Sequence, residues 1–217
     1  MRLALLSCFV AILAMLGLMP APAAAQAGLT GVPVQTCVLH DRSGLSPRSL
    51  LAASRGFDCP TDQRRFGPGS YWVRSGPLRW SGPAALRSAS LWQGVVTLYA
   101  LYGDGRIVQT VIDQQAASRQ VQLGAILEIA LPERPAPLVR LLWHVEHAAN
   151  LRGIVRDPTL ATPAQSINSN LLMGGLYAAF AGLCIALLCY NFALWVALRH
   201  PFQLAYCAMV TGLLSYT

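Results

Sequence analysis

The chain is poor in charge and contains no lysine. All 16 basic residues are arginine, charged residues make up 12% of the sequence, and hydrophobic residues make up 54%. A soluble protein carries about 25% charged residues. The apolar excess lies at the two ends, whereas residues 26–170 hold 14 of the 16 arginines. The composition therefore predicts one ordinary folded domain of about 145 residues between two segments that meet a different environment.

The sequence also lacks the short motifs of common enzymes. It has no GxSxG elbow, P-loop, GxGxxG turn, HExxH motif or CxxC pair. His144, Glu146 and His147 are neighbours, but on a strand the first two point away from the third, which argues against a metal site. We therefore predict no catalytic residue, no metal and no cofactor, and we expect that this chain is not an enzyme.

Residues 1–25 have the pattern of a secretory signal peptide. Arg2 precedes an apolar stretch over residues 3–18, and three alanines at 23–25 fit a cleavage site. An uncleaved anchor helix is the alternative, but prolines at 20 and 22 would end it too early to span a membrane well. The mature chain is expected to begin at Gln26, outside the cytoplasm.

The net charge of +7 does not by itself indicate nucleic-acid binding. The arginines are scattered singly apart from Arg64 and Arg65, and an exported domain rarely meets DNA or RNA. Nucleic acid is therefore not expected as a partner.

Two apolar runs follow the domain and a predicted linker at 157–170. Residues 171–198 exceed the roughly 20 residues that cross a hydrocarbon core about 30 Å thick. After a turn at 199–201, residues 202–217 reach only about 24 Å at 1.5 Å per residue. We expect an unfinished second crossing and hence a longer multi-pass protein. Arg199 in the turn agrees with a cytoplasmic position for it.

The domain at 26–156 has the pattern of short strands and turns. Residues 92–102 and 107–112 are rich in strand-forming residues and flank Gly103, Asp104 and Gly105, which predicts a hairpin. The same reasoning predicts strands at 70–74, 121–131 and 138–146 and a short helix at 47–54. Short strands separated by glycine and proline predict an all-β sandwich or jelly roll, followed by transmembrane helices of a truncated bundle.

Two exported cysteines, Cys37 and Cys59, are candidates for a disulfide. The other four lie in the signal peptide or in the apolar runs, and an oxidising compartment favours pairing of the two that remain. Two unpaired buried thiols are the alternative.

Alternation along the predicted strands gives a candidate ligand site. Trp72 and Arg74 share one face of a strand, and Arg140 could complete the same patch. An aromatic surface beside planar cationic groups suits a sugar ring or a carboxylate. The alternative is structural, because tryptophan is usually buried and a neighbouring arginine often stacks on it.

The first apolar run carries residues suited to helix packing. Gly175 and Ala179 are small residues that allow close approach of a neighbouring helix, and Asn191 is expected to form an interhelical hydrogen bond. Structural packing and a role in signalling are both open for Asn191.

Several segments in the same order resemble bacterial seven-transmembrane receptors with diverse intracellular signalling modules. They are Tyr-Trp-Val-Arg at 71–74, the strand-turn-strand at 95–108 with Tyr99, residues 138–142, residues 172–177, residues 188–195 with the Tyr-Asn pair, and residues 199–206. The resemblance covers nearly all of the mature chain. It implies seven helices, an exported jelly roll that senses a ligand, and a cytoplasmic output that is commonly a diguanylate cyclase or a histidine kinase.

The sequence thus favours the input part of a bacterial inner-membrane receptor with its N-terminal domain in the periplasm. The expected partners are membrane lipid and a small extracytoplasmic ligand, and a homodimer is allowed for. A membrane-tethered binding module without output and a tethered exported enzyme are the alternatives. The activity of the longer parent, including a cyclase or kinase, stays open.

Overall fold

The computed structural model describes residues 29–42, 44–53, 55–89 and 94–216. The predicted signal peptide at 1–25 lies outside the described residues, as does the start of the strand predicted at 92–102. The described chain consists of a β-rich domain followed by two apolar helices, which confirms a β domain plus helices as the architecture.

Ten strands lie within the described residues and form two antiparallel sheets. They are β1 (Val32–Pro33), β2 (Thr36–His40), β3 (Gly69–Ser75), β4 (Ala84–Ala89), β5 (Val96–Tyr102), β6 (Ile107–Ile112), β7 (Val121–Gln122), β8 (Ile126–Leu131), β9 (Leu138–Ala148) and β10 (Arg156–Ala161). Sheet I has the order β1-β10-β4-β8-β7, and sheet II has the order β2-β3-β9-β5-β6.

The two sheets enclose one hydrophobic core. Leu86 and Ile129 from sheet I and Tyr71, Leu141 and Val145 from sheet II are buried in the same cluster. Burial of such a side chain stabilises the fold by about 1.5–3 kcal/mol. The inner faces of two sheets therefore form the interior of a β-sandwich.

The outer face of sheet II is also covered. A short helix, α1 (Pro47–Ala52), places Leu50 and Leu51 against Trp72 and Leu142 in a second buried cluster. The side chain of Ser46 accepts a hydrogen bond from the backbone N–H of Ser49 and thereby caps this helix. Sheet II thus has apolar residues on both faces, and β9 contributes to both.

The segment after β6 differs from the sequence prediction. Helix α2 (Gln114–Gln120) begins after Asp113, whose side chain accepts a hydrogen bond from the N–H of Ala116. The strand predicted at 121–131 is divided into β7 and β8 by a turn, in which Ala125 and Gly124 have positive φ. The prediction missed the N-cap at Asp113, because the apolar residues that follow have no helical period of their own.

Residues 157–170 are not a linker, contrary to the prediction. Strand β10 extends to Ala161 by pairing with β4, and helix α3 (Pro163–Leu198) begins two residues later. Thr162 and Gln165 form a capping box with reciprocal side-chain to backbone hydrogen bonds. The helix therefore starts eight residues before the apolar run, because its first turns are stabilised by the cap and by contacts with sheet I.

Helix α3 and the following helix α4 (Pro201–Tyr216) form a helical hairpin. Arg199 ends α3 in the left-handed conformation with φ 56°, and Pro201 begins the next helix. The buried side chains of Cys184 and Val210 lie on α3 and α4. Helix α3 has 36 residues and is the one helix among the described residues that is long and apolar enough to cross a membrane.

Candidate functional site

The three residues of the predicted ligand site lie together on the outer face of sheet II. Trp72 and Arg74 are on β3 and Arg140 is on the neighbouring β9, where Arg74 pairs with Leu142. The structure therefore brings these side chains to one face, but that face lies beneath helix α1. None of the three forms an open binding surface in this arrangement.

Both arginines bind carbonyl groups of helix α1 and the residue that follows it. Arg74 donates from Nη1 to the carbonyl of Leu50 at 3.0 Å and also to the carbonyl of Ala53. Arg140 donates from Nη1 to the carbonyl of Leu51 at 2.7 Å. The last carbonyls of a helix lack partners within the helix and carry partial negative charge, so cations are favourable there. Burial, together with the charge of Arg140, lowers the pKa of Arg74.

Trp72 is part of an aromatic and ionic cluster. Its side chain is 4% exposed, and its Nε1 donates to Oδ1 of Asp41 at 2.7 Å. The ring of His144 stacks on it with centroids 4.1 Å apart. His144 Nε2 lies 2.9 Å from Oδ2 of Asp41, and its Nδ1 lies 3.5 Å from Oε1 of Glu146. The Asp41 carboxylate therefore joins the tryptophan and the histidine.

The environment of Asp41 favours its ionised form. Burial raises the pKa of Asp41, but hydrogen bonds from His144 and Trp72 and the charge of His144 together lower it by more, so the net pKa is below the ordinary value.

Among the described residues no group of histidine, cysteine and acidic side chains is arranged to hold a metal. His147 has a positive φ of 53° beside a register shift between β3 and β9, and its backbone conformation differs from that of an ordinary strand residue.

Cys37 and Cys59, the predicted pair, form a disulfide in the structure. The bridge ties β2 to the segment after α1, where Asp58 and Val38 exchange backbone hydrogen bonds of 2.7 and 2.8 Å. It therefore fastens the chain that covers the outer face of sheet II.

A polar cluster joins sheet I to the first turns of helix α3. We call it the sheet–helix junction, and it comprises Arg87, Glu128, Ser166, Asn170 and Gln122. Arg87 on β4 is 0% exposed, and its Nε lies 3.1 Å from Oε2 of Glu128 on the adjacent β8. Oγ of Ser166 lies 2.6 Å from each carboxylate oxygen of Glu128. Asn170 accepts from Nη2 of Arg87 at 2.8 Å and donates to Oε1 of Gln122 at 3.3 Å.

The charge of the junction is compensated within it. Burial lowers the pKa of Arg87, and the charge of Glu128 partly offsets that effect. Thr30 adds an acceptor at 3.1 Å from Nη1 of Arg87. Arginine stays charged at such a site, so removal of one partner would leave a buried charge without compensation, a change that typically costs about 3–5 kcal/mol.

The junction could not be predicted from the sequence, because its residues are far apart in the chain. Residues 87, 128, 166 and 170 are brought together only by the pairing of β4 with β8 and the return of α3 over that sheet. One local signal was present, since Thr162 and Gln165 have the spacing of a capping box ahead of an apolar run. That signal would have placed Ser166 and Asn170 on a helix.

The predicted helix-packing residues Gly175, Ala179 and Asn191 all lie on helix α3. Gly175 and Ala179 are exposed, and a methyl group added at Gly175 would meet no described atom within 4 Å beyond its own stretch of helix. Asn191 donates from Nδ2 to the carbonyl of Leu187 in its own helix at 2.8 Å. This hydrogen bond uses one donor of the Asn191 side chain, and the interhelical hydrogen bond expected of Asn191 stays a prediction.

Two clefts open at the surface of the sandwich. One of about 830 Å³ is lined by the β1–β2 segment, by the turn that contains Gln63, by Arg152 in the loop between β9 and β10, and by Thr159 on β10. The second, of about 690 Å³, lies between the sheets at the end where β5 begins, and it is lined by Ile112 and Leu127 among others. Both have the size of small-molecule sites.

No family model matches the chain, and no curated protein matches it. The resemblance to seven-transmembrane receptors therefore rests on the residues quoted for it.

Proposed function

We propose that this chain is the input part of a bacterial membrane signal-transduction receptor. In this proposal the β-sandwich, with the jelly-roll connections that the family resemblance implies, lies in the periplasm and senses a small ligand such as a carbohydrate or a carboxylate. The helices belong to a seven-helix, multi-pass bundle in the inner membrane. A diguanylate cyclase or a histidine kinase in the parent protein provides the output.

The observation that carries the proposal is the junction between sheet I and helix α3. A tethered domain needs only a flexible linker, whereas α3 runs without interruption from Pro163 to Leu198. Its second turn is held to β4 and β8 through Arg87, Glu128 and Ser166. A displacement of these strands therefore moves the helix instead of being lost in a loop.

The proposed mechanism is a shift between two arrangements of the helix bundle. A ligand that binds one arrangement of the sandwich more tightly than the other biases the equilibrium by its difference in binding free energy. A shift from 1% to 99% of one state requires about 5.5 kcal/mol. The junction couples the two parts only as long as its polar contacts hold, so their loss uncouples the bundle from the sandwich.

The test compares two asparagines on the same helix in the full-length parent. Asn170→Leu removes the acceptor for Arg87, whereas Asn168→Leu changes an exposed residue. Output is measured in membranes as formation of cyclic di-GMP or as autophosphorylation. We expect that Asn170→Leu shifts the basal output and that Asn168→Leu does not.

Equal output from both variants and the parent would contradict the relay. If the protein then still bound a small ligand, it would be a membrane-tethered binding module. Turnover of a substrate outside the cell by the wild-type protein would instead favour the tethered enzyme.

A further inference from the structure

The end of the sandwich beside helix α3 carries exposed apolar residues at the level where the helix becomes apolar. Ser166 contacts Glu128 in the middle of β8, and four residues later Asn170 contacts Gln122 at the end of β7. A methyl group added at Gly174 would lie 3.7 Å from Cδ1 of Leu123. The helix therefore descends along sheet I and passes the β7–β8 turn on its way into the apolar run.

The length of helix α3 gives the depth of the β7–β8 turn relative to the bilayer. From Gly174 to Leu198 it rises by about 36 Å at 1.5 Å per residue. A hydrocarbon core is about 30 Å thick, and the bilayer with its headgroup layers is about 40–45 Å thick. With Leu198, which precedes Arg199, at one edge of the hydrocarbon, Gly174 and the neighbouring Leu123 lie in the opposite headgroup layer.

The composition of the turn suits that layer. Leu123, the large apolar residue at the tip of the turn, is 48% exposed. Residues 120–126 carry no charge. Arg119 at the end of α2 is exposed and forms no ion pair within the described residues. An apolar tip with a nearby cation is the pattern of segments that insert into the boundary between headgroups and acyl chains.

A second loop lies at the same end of the sandwich. The cleft between the sheets is lined both by Val121 and Ala125 beside the turn and by Leu151 and Arg152 from the loop between β9 and β10. Leu151 is 82% exposed, the highest exposure among the large apolar residues described. Two segments from different parts of the chain thus carry a leucine and an arginine at the same end of the sandwich.

We propose that this end of the sandwich docks on the lipid surface, with Leu123 and Leu151 inserted among the headgroups and Arg119 and Arg152 bound to lipid phosphates. The occupant is the bilayer that α3 crosses, because the turn is continuous with that helix and lies at headgroup depth. The inference rests on the membrane span of the proposed function and does not depend on signalling. It makes the bilayer a support that fixes the tilt of the sandwich.

The test uses single cysteines in the full chain, reconstituted into nanodiscs of phosphatidylcholine and phosphatidylglycerol. Cys8, Cys184, Cys189 and Cys207 are first replaced by alanine, while Cys37 and Cys59 stay bonded to each other. A nitrobenzoxadiazole label is then placed at one of four exposed positions, by Leu123→Cys, Leu151→Cys, Val32→Cys or Ile185→Cys. Quenchers are attached either to the lipid headgroup or to the middle of the acyl chain.

Each position has a defined role. Val32 is 56% exposed and pairs with Leu160. Leu160 lies at the end of β10 that leads into α3, opposite to the end that follows the β9–β10 loop. Val32 is therefore the matched control away from the bilayer. We expect that labels at 123 and 151 lose most of their emission to the headgroup quencher, while the label at 32 keeps its emission. The label at 185, within α3, is expected to lose its emission to the acyl-chain quencher.

The outcomes separate this inference from the proposed function. Labels at 123 and 151 that behave like the label at 32 overturn the docking, even when the label at 185 reports a membrane span. Quenching above the control at either loop supports contact through that loop. A label at 185 that the acyl-chain quencher does not reach overturns the span and the docking together, whereas failure of the relay alone would leave all four readings unchanged.

Discussion

Arg87 donates a hydrogen bond of 2.8 Å from Nη2 to Oδ1 of Asn170 and so joins a buried strand to the helix that leaves the domain. The guanidinium is fully buried and also pairs with Glu128. A charge in this position is costly unless all its partners are kept. The junction therefore fixes the helix to the sandwich through contacts that compensate the buried charge of Arg87.

Removal of the Arg87 side chain is expected to destabilise the sandwich strongly. In Arg87→Met the carboxylate of Glu128 loses its buried partner, so the free energy of unfolding should fall by about 3–5 kcal/mol. Urea unfolding of the chain in detergent, followed by circular dichroism, measures this change. The control is Arg64→Met, which removes an exposed pair with Asp62 and should leave the midpoint nearly unchanged. Equal effects of the two variants would contradict the role of the junction.

The disulfide is expected to stabilise the covering segment of sheet II. The double variant Cys37→Ser, Cys59→Ser opens a loop closed by residues 22 apart in sequence, and the chain-entropy model gives a loss of about 3 kcal/mol. Thermal unfolding with and without reductant checks it. The reductant should lower the midpoint of the wild type but not that of the variant, and a wild type insensitive to reductant would count against the bridge.

Helix α1 should depend on the arginines beneath it. Arg140→Met removes a charged donor to the carbonyl of Leu51, a contact expected to be worth about 1.5–3 kcal/mol. Faster hydrogen exchange in α1 and a lower unfolding midpoint are the expected results. The control Arg48→Met changes an exposed arginine on the same helix and should change neither. If Arg140→Met left stability intact, its side chain would be free for the ligand role that the sequence predicts.

The cluster around Asp41 gives a defined pH dependence. Its pKa is lower in the folded protein than the ordinary value of 3.8, so the folded state favours the carboxylate. The resulting stabilisation is present above the unfolded pKa and is lost as the pH falls through the folded pKa. The difference in unfolding midpoint between the wild type and Asp41→Asn, followed from neutral to acidic pH, should shrink below about pH 4. A difference that grows on acidification would contradict this assignment.

The N-cap of helix α3 should control how firmly its first turn forms. Thr162→Ala removes the acceptor for the N–H of Gln165 and should cost about 1 kcal/mol. Amide exchange at Gln165 is the direct measurement, and Thr162→Ser, which keeps the hydroxyl, is the control. Exchange that is equally slow in both variants would mean that sheet I alone holds the turn.

Local patterns were sufficient for much of the fold. The hairpin of β5 and β6, the strand β9 and the helix α1 follow from strand-forming residues, turn glycines and a serine–proline cap, all of which act within a few residues. The sandwich follows from their alternation. The element boundaries around 113–126 and 157–170 do not follow from that alternation. There the N-cap Asp113 and the capping box of Thr162 and Gln165 start helices that the hydrophobic pattern does not indicate.

The sequence predicts the positions of the candidate site residues but not their contacts. Trp72, Arg74 and Arg140 were correctly expected on one face, since residues on a strand alternate between its two faces. Their partners were not predictable, because α1 covers that face through a long-range return of the chain. The ligand role of these three residues stays a prediction, and their observed contacts are with the protein itself.

By itself the sequence determined a β-rich domain followed by apolar helices, since alternation and long apolar runs are local properties that act wherever the chain goes. Only the tertiary structure decided that helix α3 begins on the sandwich and that Arg87 is fully buried beneath it. The physical reason is that the desolvation of Arg87 is offset by Glu128 and Asn170, which lie 41 and 83 residues further along the chain, and only the completed fold brings these partners together.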